Sequence, residues 1–265
     1  MARQRTLAIA DHRQVTARLR WLALHAPDLA RDARPGHALL VHCNDSDDRY
    51  RLLRRPLFLA ATMPEIGQLA LLYEPHEPGL AWLARRLPGE ILDVVGLSGR
   101  PFPLNDRQRN LLLVGAGAGL AALIFIARFA APHAAVTLLA FADDQERLPP
   151  PFLLPSAVEY VTMVDIDVAA SVATALQPTD KPSMLAWADA VVAALPREAL
   201  AELGRIVRSV RLRWARGFSQ MLIESPPGCG FGACGTCAVE LRGRVRLPCV
   251  EGPWFDLRDI AYLDC

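Results

Sequence analysis

Four of the six cysteines in this 265-residue chain stand within 21 consecutive positions: Cys229, Cys234, Cys237 and Cys249. The first three are interleaved with Gly228, Gly230, Gly232 and Gly235 in a C-x4-C-x2-C run, and the fourth follows after eleven more residues. Thiolates crowded into one short loop must converge on a common centre. Glycine lets the loop wrap that tightly and leaves backbone N–H groups free to face the sulfurs. The spacing is that of plant-type [2Fe–2S] sites. A structural zinc site is the alternative, but zinc loops favour C-x2-C in both halves, and only one pair here has it. The run therefore predicts a [2Fe–2S] centre with Cys229, Cys234, Cys237 and Cys249 as its ligands. No cysteine occurs between residues 44 and 228, so the chain is not a disulfide-stapled secreted domain, whose bridges would be spread along it. Cys43 reads as a packed strand residue and Cys265, at the last position, as an exposed one.

The chain ahead of the cysteines divides in two. Residues 1–105 read as an antiparallel β-barrel. Val15, Ala17, Leu19 and Trp21 alternate with polar neighbours, Pro35-Gly36 turns the chain into Ala38–Val41, and Asn44–Asp48 is a polar break. Short apolar runs follow at Leu57–Ala61, Leu69–Tyr73 and Ile91–Val95. Residues 106–215 read as an α/β nucleotide-binding domain. Asn110–Val114 is an apolar strand, Gly115 to Gly119 a glycine loop, Leu120–Phe129 a helix and Val136–Ala142 a second strand. Ser171–Leu176, Ala188–Leu195 and Arg197–Arg208 read as helices, with proline-marked loops at Pro149–Pro151 and Pro178–Pro182. Residues 216–265 form a small cysteine-bearing domain. The expected architecture is thus α+β and multidomain: barrel, α/β domain, [2Fe–2S] domain.

Lys+Arg 29 against Asp+Glu 28 argues against nucleic-acid binding and against a polybasic membrane anchor. The opening MARQRTLAIADHRQ has no apolar signal-peptide region. Leu111–Ala127 is uncharged for 17 residues, too short and too glycine-broken for a membrane span. The chain reads as cytoplasmic. His37, His42, His76 and His133 show no ligand spacing, and no nucleophile triad or carboxylate pair stands out.

Cys229–Cys237, the hairpin Val239–Val245 and Cys249-Val-Glu-Gly-Pro-Trp-Phe resemble the C-terminal segment of the electron-transfer subunit of class B dihydroorotate dehydrogenase. In that family the last cysteine is likewise followed by Gly-Pro and an aromatic residue. Pro35-Gly36, Leu53-Arg54-Arg55-Pro56, Gly96–Phe102 and Leu113–Leu123 fall in the family's order. The resemblance implies a ferredoxin-reductase-like oxidoreductase component in a hetero-oligomer. It would carry electrons from NADH through FAD and a [2Fe–2S] cluster to a dihydroorotate-oxidising flavoprotein of pyrimidine biosynthesis.

Carried over residue by residue, the family's flavin motif Arg-Pro-x-Ser falls on Arg55, Pro56, Leu57 and Phe58, which has no hydroxyl. Its phosphate loop Gly-x-Gly-Thr falls on Glu77-Pro78-Gly79-Leu80, with Gly79 and Leu80 facing FAD and Glu77 bringing a carboxylate toward a pyrophosphate. Gly115, Gly117 and Gly119 would meet NAD(H), and Asp143 or Asp144 a ribose hydroxyl. Leu185–Asp189 stands as the counterpart of the Cys-Gly-Pro segment that lies beside the nicotinamide. Trp254 and Phe255 would cover the cluster or contact the acceptor. Two other readings stay open: a reductase subunit of another flavoprotein complex, and a non-catalytic electron wire or assembly subunit that has lost nucleotide binding.

Overall fold

The computed structural model describes residues 3–45, 53–105, 107–177, 183–226 and 228–260. Cys265, the Pro178–Pro182 loop and part of the Asn44–Asp48 break lie outside them. Six antiparallel strands close a barrel in the order β1 (Arg3–Gln14), β2 (Arg20–His25), β5 (Gln68–Tyr73), β4 (Arg55–Met63), β3 (Ala38–Val41), β6 (Ile91–Ser98). Bulges at Ile9/Asp11, Ala38/Leu40 and Leu59/Ala61 supply the extra bend that closure needs. Alternate side chains then meet inside: Leu22, Leu24, Leu39, Leu59, Leu69, Leu71 and Leu92, with the Cys43 thiol buried among them. Helix α1 (Pro27–Asp32) links β2 to β3, and α2 (Pro78–Leu83) follows β5.

The strand expected over Val15–Trp21 is instead mostly a turn. Val15 N–H donates to the Leu19 carbonyl at 3.0 Å, and the Thr16 hydroxyl accepts from the N–H groups of Arg18 and Leu19 at 3.2 and 3.0 Å. Local threonine capping wins over apolar alternation there. The strand lies earlier, where only Leu7 and Ile9 point inward.

The second layer is a six-stranded sheet. β7 (Asn110–Ala116), β8 (Ala135–Ala142), β9 (Val158–Val164), β10 (Ala190–Ala194) and β11 (Ser219–Leu222) are parallel in the order β11-β10-β7-β8-β9. β14 (Trp254–Asp256) adds antiparallel to β11. The cysteine segment expected from 216 thus begins and ends on strands of this sheet. Ala188–Leu195, expected to be helical, holds strand β10. Its alanines favour a helix intrinsically, but Ala190 to Ala194 are all buried between β7 and β11, and packing overrides propensity.

Helix α3 (Leu120–Ala130) packs between the sheet and the barrel strand β4, with nine of its eleven residues buried. This explains the uncharged stretch from Leu111: it is a central strand followed by a helix covered on all sides. α4 (Val168–Leu176) and α6 (Arg197–Val210) cover the other face, and the short α5 (Met184–Trp187) leads into β10. The cysteine segment carries a hairpin, β12 (Val239–Leu241) and β13 (Arg244–Arg246), and one helical turn, α7 (Pro248–Glu251). Among the described residues no helix is long and apolar enough to cross a membrane.

Candidate functional site

The cysteine loop is fastened to the barrel by the end of β6. Buried Ser98 donates its hydroxyl hydrogen bond to the carbonyls of Gly230 and Cys249, at 3.0 and 3.3 Å. Gly99 N–H reaches the Cys249 carbonyl at 2.9 Å, Arg100 N–H the Gly252 carbonyl at 2.5 Å and Arg100 Nε the Val250 carbonyl at 2.9 Å. Gly230 turns at φ +79°, with Leu40 only 2.9 Å from where a Cβ would lie, so no side chain fits between loop and barrel. The Gly96–Phe102 segment named by resemblance is this clamp.

Within the loop the thiols stand as two pairs. Cys237 and Cys249 are 3.2 Å apart at sulfur, and Cys229 and Cys234 share a hydrogen bond. Backbone N–H groups face the sulfurs: Ala233 donates to Cys229 at 3.2 Å and Cys229 to Cys234 at 3.4 Å. Among the described residues no three His, Cys, Asp or Glu side chains gather closely enough to hold one metal ion. The Thr236 hydroxyl and the N–H groups of Cys229 and Thr236 draw the Cys234 thiol down to about 6, which favours the thiolate a metal needs. Burial and the neighbouring Cys237 push Cys249 up to about 12, a bias that a bound cation reverses. No disulfide joins the five described cysteines.

Beside the thiols opens a cavity of about 870 Å³, at the upper end for ligand pockets. All three parts of the molecule line it: Arg55, Pro56, Leu57 and Phe58 from the barrel, Ala116 to Ala118 from the end of β7, and Cys229, Cys237 and Cys249 from the loop. Crevices at the carboxyl ends of parallel strands are where open α/β sheets bind ligands.

The structure distributes the other expected site residues unevenly. Gly117, at φ +63° with open space where its Cβ would be, faces the cavity, whereas Gly115 and Gly119 serve packing. A Cβ on Gly115 would meet Leu123 at 2.3 Å, and one on Gly119 would meet Ala194 at 2.6 Å. Leu80 lines the cavity, and Gly79 lies behind it against the Arg55–Glu77 ion pair. The Asp143 carboxylate is gripped by Arg147 Nη1 at 2.8 and 2.7 Å, which lowers its pKa, and Asp144 pairs with Arg18 at 3.2 Å. Arg147 also bonds Glu74 at 3.0 Å, so these carboxylates tie the sheet to the barrel.

Two expectations fail. Leu185–Asp189 lies at the amino end of β10, where Asp189 accepts the N–H groups of Arg109 and Asn110, far along the strand from the cavity. The segment that follows β10 at the cavity end is Leu195-Pro196, and Pro196 lines it. Trp254 offers no docking surface: it is 7% exposed, part of the core under the sheet, and edge-on to Phe102. Among the described residues of the cysteine segment, the exposed aromatic is Phe231, at 52%.

Sequence reasoning missed Glu224, which lines the cavity just past β11. Its carboxylate accepts the Gly119 N–H at the start of α3, and burial raises its pKa. No local motif marks it, because its partner lies more than a hundred residues earlier.

An antiparallel barrel, a parallel sheet opening at its carboxyl edge, and a cysteine loop on their shared cavity define a ferredoxin-reductase-like architecture with an iron–sulfur segment appended. The structure of an NADH-dependent reduced ferredoxin-NADP oxidoreductase has this fold, with a TM-score of 0.78 at 21% identity, covering 97% of this chain and 90% of that one. A siderophore utilization protein from T. fusca matches with a TM-score of 0.65 at 19% identity, covering 83% and 92%.

Residues 225–261 match the iron-sulfur cluster binding domain of dihydroorotate dehydrogenase B. The chain is 27% identical over 268 residues, 98% of each protein, to the dihydroorotate dehydrogenase B (NAD(+)) electron transfer subunit of Shouchella clausii. It is 28% identical over 243 residues, 89% of each, to that of Desulforamulus reducens. The resemblance to dihydroorotate dehydrogenase B electron-transfer subunits therefore runs nearly the length of the chain.

Proposed function

We propose that this chain is the electron-transfer subunit of a dihydroorotate-dehydrogenase-type complex. In this reading the electrons released when a catalytic flavoprotein partner oxidises dihydroorotate pass through a [2Fe–2S] centre and FAD to NAD(+), in a cytoplasmic hetero-oligomer serving pyrimidine biosynthesis. This is the reverse of the direction from NADH expected from the resemblance, because a dihydroorotate-oxidising partner must give up electrons. One observation carries the reading: a single cavity touches the barrel's Arg55–Phe58 edge, the Gly117 turn and three cysteines of the four-cysteine loop. Ligands seated there lie in contact with each other's walls, as electron passage over short distances requires.

Cys229, Cys234, Cys237 and Cys249 hold the cluster. The glycine turns and inward N–H groups fit it, and Ser98 and Arg100 hold the loop against the barrel. Arg55, Pro56, Leu57, Phe58, Gly79 and Leu80 form the flavin side, and Gly115, Gly117 and Gly119 shape the nicotinamide side. When bound, these groups would supply a two-electron acceptor, a flavin that collects electrons singly and passes them on as a pair, and a one-electron relay. The chain's own part is to seat them: Phe58, Leu40 and Leu72 exclude water, and backbone N–H groups orient charge.

A second reading, an electron wire without nucleotides, draws support from the Glu77 and Glu224 carboxylates, which occupy backbone donors at the two places where phosphates would sit. Anaerobic purification with iron and flavin quantified separates the two. The first reading expects both, the wire iron alone. Cys237→Ser is expected to abolish the reduced-state EPR signal and Cys43→Ser to leave it, since Cys43 is buried in the barrel. Equal loss in both variants refutes the ligand assignment.

A further inference from the structure

Glu77 holds the donors that a phosphate at this place would use. Arg55 directs Nε to Glu77 Oε1 at 3.1 Å and Nη2 to Oε2 at 2.9 Å. Gly79 N–H reaches Oε2 at 3.0 Å and Leu80 N–H reaches Oε1 at 2.6 Å. A guanidinium fork beside consecutive backbone N–H groups is a donor set that carboxylates and phosphates share. Here all four bonds end on one internal carboxylate. Burial opposes the charged form of Glu77, yet Arg55 and the two N–H groups hold its carboxyl below the usual range.

The surroundings are shaped to this pairing. A Cβ on Gly79 would stand 2.8 Å from Glu77 Oε1 and 2.9 Å from Arg55 Cζ, so the loop leaves room only for the ion pair. Arg55, Glu77 and Leu80 all line the cavity that the flavin reading assigns to a ligand. Pro78 contributes no donor of its own. A flavin diphosphate arriving at Arg55 must either displace the carboxylate from four bonds or lie beside a like charge.

We propose that Glu77 is a specificity-determining residue: its carboxylate stands in for a phosphate in the Arg55–Gly79–Leu80 cradle, so that the cavity selects a flavin by its ring system and not by a diphosphate. The proposal rests on the flavin reading of the cavity. It also accounts for the carboxylate that the sequence places beside a pyrophosphate: Glu77 is not an error of design there but the occupant.

The test uses full-length protein, iron retained and flavin removed, titrated with FAD and with riboflavin by fluorescence quenching. Wild type is expected to bind the two within about threefold of each other, since the cradle offers the diphosphate no free donor. Glu77→Ala frees the fork and both N–H groups and is expected to gain at least about tenfold for FAD and nothing for riboflavin. The gain should vanish in the Glu77→Ala/Arg55→Ala double variant. Glu77→Gln, which keeps one acceptor oxygen for the Gly79 and Leu80 N–H groups, carries the test if the alanine variant loses its iron or its cooperative unfolding. It is expected to gain at least about threefold. Wild type that already prefers FAD tenfold, or a Glu77→Ala protein with unchanged FAD affinity, overturns the proposal and leaves the flavin reading standing. Absence of any flavin binding in every variant overturns both.

Discussion

Removing the Trp254 side chain should unfold the sheet's edge without touching any surface a partner could use. The ring is 7% exposed, meets Phe102 at 5.2 Å between centroids and 79° between planes, and lies where a Cβ on Gly36 would be only 2.3 Å from its Nε1. A buried aromatic of this size removes about 150–250 Å² from water. At about 25 cal/mol per Å² that is roughly 4–6 kcal/mol. Alanine keeps its first carbon's share, and the neighbours relax only partly, which brings Trp254→Ala to about 3–5 kcal/mol.

The indole N–H has no hydrogen-bond partner, and such an orphan costs about 1–3 kcal/mol. Trp254→Phe, which removes the orphan and keeps most of the area, should therefore lose less, about 1–2 kcal/mol. Urea unfolding of the iron-loaded protein, followed by far-UV circular dichroism, measures both. Because β14 pairs with β11 and the two strands flank the cysteine loop, Trp254→Ala should also release iron to a chelator faster. A Trp254→Ala protein that unfolds within about 1 kcal/mol of wild type but no longer binds its partner would refute the argument and return Trp254 to an interface.

Ser98→Ala removes both hydroxyl bonds to the cysteine loop and should cost about 1–2 kcal/mol, read as faster loss of iron to a chelator with the barrel's circular dichroism unchanged. Burial raises the Glu224 carboxyl, so the folded protein is penalised once this group ionises: that part of stability is intact at low pH and lost as pH rises through the raised value. Glu224→Gln should therefore gain on wild type in urea midpoint as pH rises above the ordinary carboxylate range, and a constant difference would refute the shift. Glu77 has the opposite sign, its pKa lowered against burial by Arg55 and two N–H groups. Its contribution is present above the ordinary carboxylate range and lost as pH falls through the folded value, so the gap between wild type and Glu77→Gln should close on acidification.

The barrel, the α/β domain and the cysteine loop were legible because each is announced locally. Short apolar runs between breakers mark β3 to β6, and strand, glycine turn and helix mark β7 and α3. The cysteine spacing is itself a coordinate system for a metal centre. Where local signals misled, burial had overruled them: the alanines of β10 sit between two strands, and the apolar alternation around Val15 gave way to a threonine-capped turn.

The chain by itself determined which residue types occupy the site: four thiols, an arginine and the glycines that let backbone approach. Only the tertiary structure decided what each is paired with. Glu77 lies 22 residues from Arg55, Glu224 more than a hundred from Gly119, and Ser98 132 from Gly230, and no periodicity or spacing encodes such partnerships. The physical reason is that a carboxylate has no preference in sequence for the donor it will find. The closed barrel and the sheet bring donor and acceptor within 3 Å of each other, and what reads in the sequence as a charge in the wrong place becomes a satisfied pair.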